Sequence, residues 1–450
     1  MNQRHKSSRH EGFSRRSFLT RAGVAAGSAA SASVWLSGVS RASAVTGGRT
    51  GVLLNLRGGN DALCTVCPVT EAAYHAARPN LAVAAPAQPS DRAWLDAAFA
   101  MNPAGVDHTS GVDMVRPYLD GNLVFVHGAG WTDQVRSHFK AMQIMEYGSP
   151  AGVTAFPAEG WAARYLDATP PVTADVRAFS HTTLMPTILR GAPKTSAITD
   201  VSDLAFPGPD GGLTGTIPTA PSRRYTISES YAGTNRPLPR NAAVQALVTL
   251  DTLSSVSYPS DPTTLGYPDT ELGEALANAA AVIKDPTVHV ELIHVEMLEW
   301  DHHADQGPHA PGGKFHDMLG ELSKAVGAFY LDVGAANVDR YLMMIYTEFG
   351  RQIAENGDLG TDHGYGGLFT AMGAGVHPTS GGAGGTVWHE FAGDLCTSFD
   401  PLNGDAQDIT VDYRDLFAEG LVNRLGLPIG QMSTVFPNFN FRATPPGVIG

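Results

Sequence analysis

Cysteine is scarce in this chain. Its 450 residues hold three, Cys64, Cys67 and Cys396, too few for a fold stapled by disulfides. Cys64 and Cys67 are expected to pack or to close one small local disulfide. A zinc site at that pair would lack its second half. Long apolar runs are scarce too. Beyond the first 44 residues no stretch of 18 uninterrupted apolar residues occurs, which leaves no stable membrane anchor to expect. Positive charge is the third shortage. The first 44 residues hold seven of the 30 Lys and Arg and one of the 44 Asp and Glu, so the remainder carries 23 against 43, a formal charge of −20. Such a surface repels phosphate backbones and anionic membranes, and excludes nucleic acid as a partner. "SGGAGG" (380–385) lacks the Lys-Ser/Thr ending of a phosphate loop.

The first 44 residues read as a leader. "SRRSFLT" (14–20) carries Arg15 and Arg16, a weakly apolar Ala/Gly/Ser stretch runs from about Ala22 to Val39, and "ASA" (42–44) offers small residues for cleavage. The paired arginines make it a twin-arginine (Tat) signal. The expectation is a leader at 1–44, the Tat translocase as a transient partner, and export to the periplasm or beyond. Residues 45–450 form one α/β domain, long enough for a large core.

Four apolar runs read as buried strands: "GVLLNL" (51–56), "NLVFVH" (122–127), "VHVELIHVEML" (288–298) and "YLMMIYT" (341–347). Between the last two, Phe315, Met318, Leu319, Leu322, Val326 and Phe329 recur at helical spacing. Strand, helix, strand implies a parallel crossover and a three-layer α/β sandwich around a largely parallel sheet. Further helices are expected from His138 to about Tyr147 and from about Tyr413 to Leu425. Residues 150–285 are expected to be loop-rich, with a helical insertion near 240–284 that caps the sheet.

Just past each strand stand the residues that carry chemistry. They are Asp61 in "RGGND", Ser137 and His138 in "RSHF", Asp301, His302, His303 and Asp305 in "DHHAD", and Glu348, Arg351, Asp362 and His363 from "TEFGR" through "GTDHG". In parallel α/β sheets ligands gather beyond the carboxyl ends of strands. Asp and His together offer the oxygen and nitrogen donors of a transition-metal site.

"LRGGNDAL" (56–63), "RSHF" (136–139), "GW" (160–161), "WDHHADQ" (300–306), "TEFGR" (347–351), "GTDHG" (360–364) and "VDYRDLF" (411–417) occur in that order. Together with the leader they resemble exported bacterial proteins of domain-of-unknown-function family 1501, over about residues 50 to 437. That family is grouped with the alkaline phosphatase and sulfatase superfamily, so the resemblance implies an alkaline phosphatase-like fold with metal at the strand ends. Carried over, it implies Asp61, Asp301, His303, Asp362 and His363 as metal ligands and Ser137, at a helix N-terminus, as nucleophile. Three spacings depart from the superfamily pattern. One residue separates Asp301 from His303, Asp362 stands fourteen after Glu348, and only His377 and His389 could supply a C-terminal histidine. The formylglycine sulfatase motif is missing, since "CPVTE" (67–71) has proline directly after the cysteine.

The chemistry expected is hydrolysis of a small phosphate or sulfate ester with one or two divalent ions. Zinc fits the Asp/His mixture, manganese or calcium a more oxygen-rich set. Arg136 and Arg351 are the candidate anion grips. Each residue also has a plainer role. Ser137 is placed as a helix N-cap, Arg351 as a partner of Glu348, His302 as a neighbour, and His127 as a hydrogen-bonded core histidine. The rival class is a non-catalytic exported protein that binds a glycan or an envelope partner.

Overall fold

The computed structural model describes residues 48–132, 135–149, 157–169, 174–199, 237–307, 311–376, 387–390 and 405–450. The leader, Asp133, His377 and Cys396 lie outside them. Ten strands occur in these residues: β1 (Thr50–Leu56), β2 (Val66–Cys67), β3 (Ala100–Met101), β4 (Leu123–Gly130), β5 (Ala178–Ser180), β6 (Thr195–Ala197), β7 (Leu292–Met297), β8 (Tyr341–Tyr346), β9 (Gly367–Met372) and β10 (Val411–Asp412). Eight form one sheet in the order β10-β4-β9-β8-β1-β7-β5-β6, and β2 pairs with β3. Every pairing in the large sheet is parallel except those of β9, which runs antiparallel to β4 and β8.

The strands are apolar along their whole length because both faces of the sheet are covered. In β1, Val52, Leu54 and Leu56 enter one core and Leu53 the other; in β8, Tyr341, Met343 and Ile345 oppose Leu342, Met344 and Tyr346. This period of two divides the molecule into three layers. One outer layer holds the helices Glu271–Lys284 and Lys314–Val333, the other the helices His138–Tyr147, Trp161–Ala168 and Tyr413–Asn423. The helix Lys314–Val333 buries Phe315, Leu319, Leu322, Val326 and Phe329 on one stripe, as the spacing predicts. Each such side chain contributes about 1.5–3 kcal/mol relative to exposure. The α/β three-layer class and its largely parallel sheet are therefore as expected.

Within 150–285 the described residues do more than cover the sheet. β5 and β6 extend it at one edge, and the helices Pro237–Ser254 and Glu271–Lys284 supply the helical content expected near 240–284. Cys64 and Cys67 are buried and are not joined in a disulfide, and Cys64 Sγ accepts from Arg78 at 3.0 Å.

The antiparallel β9 matters most for function. A parallel strand presents its carboxyl end to the ligand edge of the sheet, whereas a reversed strand presents its start there. The chain leaves β8 at Tyr346, loops through residues 347–366, and enters β9 at Gly367. Asp362 and His363 thus stand at the same edge as the carboxyl ends of β1, β4, β7 and β8. This accounts for the long spacing after Glu348: the pair precedes a reversed strand rather than following a parallel one.

Candidate metal centre

The return loop is held tightly to what surrounds it. Gly364 N donates to Gly350 O at 2.8 Å and Gly350 N to Tyr365 O at 3.0 Å, and Arg351 and His363 form an antiparallel bridge. The glycines permit this closeness. A Cβ at Gly360 would fall 2.3 Å from the backbone of His303, and one at Gly364 2.4 Å from that of Arg351. No side chain fits there.

Three histidines converge on Asp301. His138, first residue of its helix, comes from the end of β4; Asp301 and His303 follow β7; His363 precedes β9. His138, Asp301 and His363 each offer one ligand atom, and these atoms lie within 4.8 Å of one another. His363 Nε2 is 3.2 Å from Asp301 Oδ1, and His138 Nε2 is 3.3 Å from Asp301 Oδ2. His303 joins through Nε2, 3.1 Å from Asp301 Oδ1 and 2.9 Å from His363 Nε2.

The other nitrogen of each ring is already committed. Nδ1 of His138 meets Glu348 Oε1 at 2.8 Å, Nδ1 of His303 meets Asp362 Oδ1 at 2.9 Å, and Nδ1 of His363 meets the Arg136 carbonyl at 2.7 Å. In the neutral ring, a proton on Nδ1 shared with that acceptor leaves the Nε2 lone pair facing Asp301, as a metal ligand requires. Carboxylates behind histidines are the outer shell that orients metal-ligating imidazoles. The Nε2 atoms of His303 and His363, 2.9 Å apart, can share one proton or one metal ion between them. The buried His138 Nε2 has no hydrogen-bond partner, so it too is an unsatisfied donor atom at this point.

The electrostatics divide the cluster: Asp301 is held ionised and His363 neutral, whereas His138 is held toward its protonated form, which a metal ion would have to displace. Burial alone would raise the Asp301 carboxyl, but the hydrogen bond and charge of Arg351, with His363 and His138 adding, hold it down at about 2. The Glu348 hydrogen bond raises His138 above the usual imidazole value against the effect of burial. Burial lowers His363 and favours its neutral, ligating form. The hydrogen bond from His303 lowers Asp362.

Of the five ligands carried over from the family pattern, the structure gathers Asp301, His303 and His363 directly. Asp362 stands one bond further out, behind His303, and also accepts from Asn356 Nδ2 at 3.2 Å. Asp61 is placed elsewhere. Its carboxylate caps the helix Ala62–Thr65 through Leu63 N and Cys64 N. It accepts from Arg78 at 2.8 and 3.0 Å and from Gln306 at 2.7 Å. Burial would raise it, but the charge and hydrogen bonds of Arg78 keep it below the ordinary carboxylate range. Both oxygens are filled by the protein, so Asp61 has nothing left to offer the cluster.

Both candidate anion grips are also committed. The buried Arg351 guanidinium bonds the carbonyls of Gly58, Gly59 (2.7 Å), Thr361 (2.9 Å) and Trp300 (3.1 Å) and the Asp301 carboxylate (2.8 Å). It ties the strand-end loops together, and Glu348 pairs with His138 instead. Arg136 makes a two-pronged pair with Asp405 and lies over the Tyr365 ring. Ser137 is exposed and occupies the N-cap position of the helix His138–Tyr147, where its hydroxyl makes no capping bond. His302 is buried against Trp300 and Phe315. His127 is a core histidine bonded to Val66 O at 3.0 Å.

Residues 275–428 match the model of a protein family of unknown function, DUF1501. The DUF1501 match contains Asp301, His303, Glu348, Arg351, Asp362 and His363 and stops short of Arg136, Ser137 and His138. No curated protein matches the chain. A solved structure described as Ps i-CgsB in complex with k-i-k-neocarrahexaose is 10% identical, with a TM-score of 0.32, covering 88% of this chain and 77% of that one. That likeness is too loose to carry chemistry from one protein to the other.

The sequence places His138 and Glu348 among the strand-end residues but gives His138 no ligand role and Glu348 no role behind it. Both stand at strand ends in "RSHF" and "TEFGR", so the positional signal was present. Beside them, Ser137 and Arg351 offer the more familiar nucleophile and anion grip.

Proposed function

We propose that His138, Asp301, His303 and His363 hold a divalent metal ion, and that the protein is an exported hydrolase of a phosphate or sulfate ester. The observation that carries this reading is the convergence of three Nε2 atoms on one carboxylate, each ring fixed from behind through Nδ1. Three nitrogens and one oxygen are a zinc-type donor set; the oxygen-rich set that manganese or calcium prefers would need more carboxylates. A bound divalent ion would neutralise the ester oxygens and acidify a nearby hydroxyl or water. Glu348 and Asp362 fix the tautomers of His138 and His303. Ser137, beside His138 at the helix N-terminus, is the side chain best placed by sequence to attack. Export follows from the twin-arginine leader, and no helix among the described residues is long and apolar enough to cross a membrane.

Elemental analysis of the purified mature protein tests the metal. One or two equivalents of transition metal, lost in His363→Ala, support it, and no metal after reconstitution rejects it. Ester hydrolysis that vanishes in Ser137→Ala while metal content stays supports serine as nucleophile; surviving activity gives that role to water.

One observation favours a second reading, an exported binding protein with a structural metal and a glycan or envelope ligand. Arg136 and Arg351 are both spent on internal partners, so neither grips a substrate anion. Retained metal with no turnover of any phosphate or sulfate ester would select it.

A further inference from the structure

An open cleft of about 730 Å³ lies against the cluster, and His138, Asp301 and Glu348 form part of its wall. The rest of the wall carries the wrong charge for a bare anion. Glu296 and Glu299 add two carboxylates to Asp301 and Glu348, and Glu146 adds a carboxyl that burial pushes up to about 7. The lone guanidinium of the lining, Arg57, already holds Glu296 at 3.1 and 3.2 Å. A divalent ion at the cluster would offset Asp301 and Glu348, and Arg57 offsets Glu296, which leaves Glu299 as the charged carboxylate of the outer wall. The rim is also apolar where water reaches it. Phe139 is 87% exposed and Leu298 53% exposed, and both line the same cleft. An aromatic face beside carboxylates, open to solvent and leading to a metal-ligand set, matches a cation with apolar bulk.

Building on the metal reading above, we infer that the ester accepted here carries an alkylammonium group on its alcohol half. The metal centre takes the anionic end, and the cleft of Phe139, Leu298 and Glu299 takes the cationic end. Glu299 then serves selectivity, because a doubly anionic ester without the ammonium meets repulsion there that the zwitterion does not.

The test is calorimetry on the zinc-loaded mature chain with phosphocholine and its uncharged-end isostere 3,3-dimethylbutyl phosphate. Phosphocholine is expected to bind about tenfold more tightly. Phe139→Ala and Glu299→Gln, both at the cleft and outside the cluster, should each shrink that ratio several-fold with zinc content unchanged. Equal binding of the two esters, with zinc bound, overturns the ammonium assignment and leaves the metal centre standing. If the chain takes no zinc, choline against 3,3-dimethylbutanol on the metal-free protein decides. A preference for choline that Phe139→Ala removes keeps the cation cleft while the metal reading falls, and no preference overturns the cleft as well.

Discussion

Asp61 and Asp301 stand one loop apart at the same edge of one sheet, and each is bonded to a buried arginine. Asp61 is 3% exposed and its oxygens are filled by Arg78, Gln306 and two backbone amides. The Asp301 side chain is 43% exposed, gives one oxygen to Arg351, and faces three imidazole nitrogens. Position at a strand end is shared, so it does not make a ligand. What separates them is whether the protein itself satisfies the carboxylate. Asp61 is structural because its charge is already compensated. Asp301 is a candidate ligand because it is surrounded by donors that need a cation.

The comparison is broken most severely at Arg78. Arg78→Met leaves the Asp61 charge buried without its counter-ion, and also abandons the Ile353 and Gln352 carbonyls that the guanidinium bonds at 2.7 and 2.8 Å. Removing one partner of such a pair costs about 3–5 kcal/mol, which denaturant titration reads as a large fall in midpoint. The folded fraction is expected to keep its metal. His363→Ala is the mirror image. It should remove the bound metal while costing the metal-free fold only about 1–2 kcal/mol, the loss of a partly buried ring that packs on Phe349 at 4.6 Å. A large loss of metal-free stability in His363→Ala would show that the cluster holds the fold together rather than holding an ion.

Much of the fold was legible in the sequence, because doubly buried strands write their character as unbroken apolar runs. β1, β4, β7 and β8 and the Lys314–Val333 helix all declare themselves this way. β9 did not. "GLFTAM" (367–372) is six residues between glycine-rich loops, and its reversed direction depends on long-range pairing that no local pattern encodes. Without β9, Asp362 and His363 read as following the strand before them, and their ligand role comes from the family resemblance. The same limit explains Asp61. A lone Asp after "RGG" reads alike whether it meets a metal or Arg78, and Arg78 lies in a segment with no motif of its own.

Glu419 sharpens the comparison from another side. It is as sealed as Asp61 but is held by the Gly447 and Ile449 amides, and burial pushes its carboxyl up to about 7. A carboxyl raised above its unfolded value binds more protons folded than unfolded. Its contribution therefore favours folding at low pH and is lost as pH rises from the unfolded value, near 4.5, through about 7. Glu419→Gln is expected to flatten the fall in stability between pH 5 and pH 8 by on the order of 2 kcal/mol. Unchanged pH dependence would mean that Glu419 is ionised in the folded protein, and that burial without an arginine does not suffice to neutralise a carboxyl here.

The smallest effects should come from the carboxylates behind the histidines, and they rank by exposure. Glu348 is 2% exposed, and it also accepts from Gly58 N and Thr347 Oγ1. Asp362 is 48% exposed. Loss of such an orienting group lowers metal affinity by roughly 10–100-fold. Glu348→Gln should fall near the upper end, because no water reaches that side of His138 to replace the lost charge. Asp362→Asn should fall near the lower end, because water and Asn356 remain beside His303. Competition titration with a zinc chelator measures both. If Asp362→Asn instead costs as much as His363→Ala, then Asp362 is itself a ligand, and His303 turns to meet the ion by its other nitrogen.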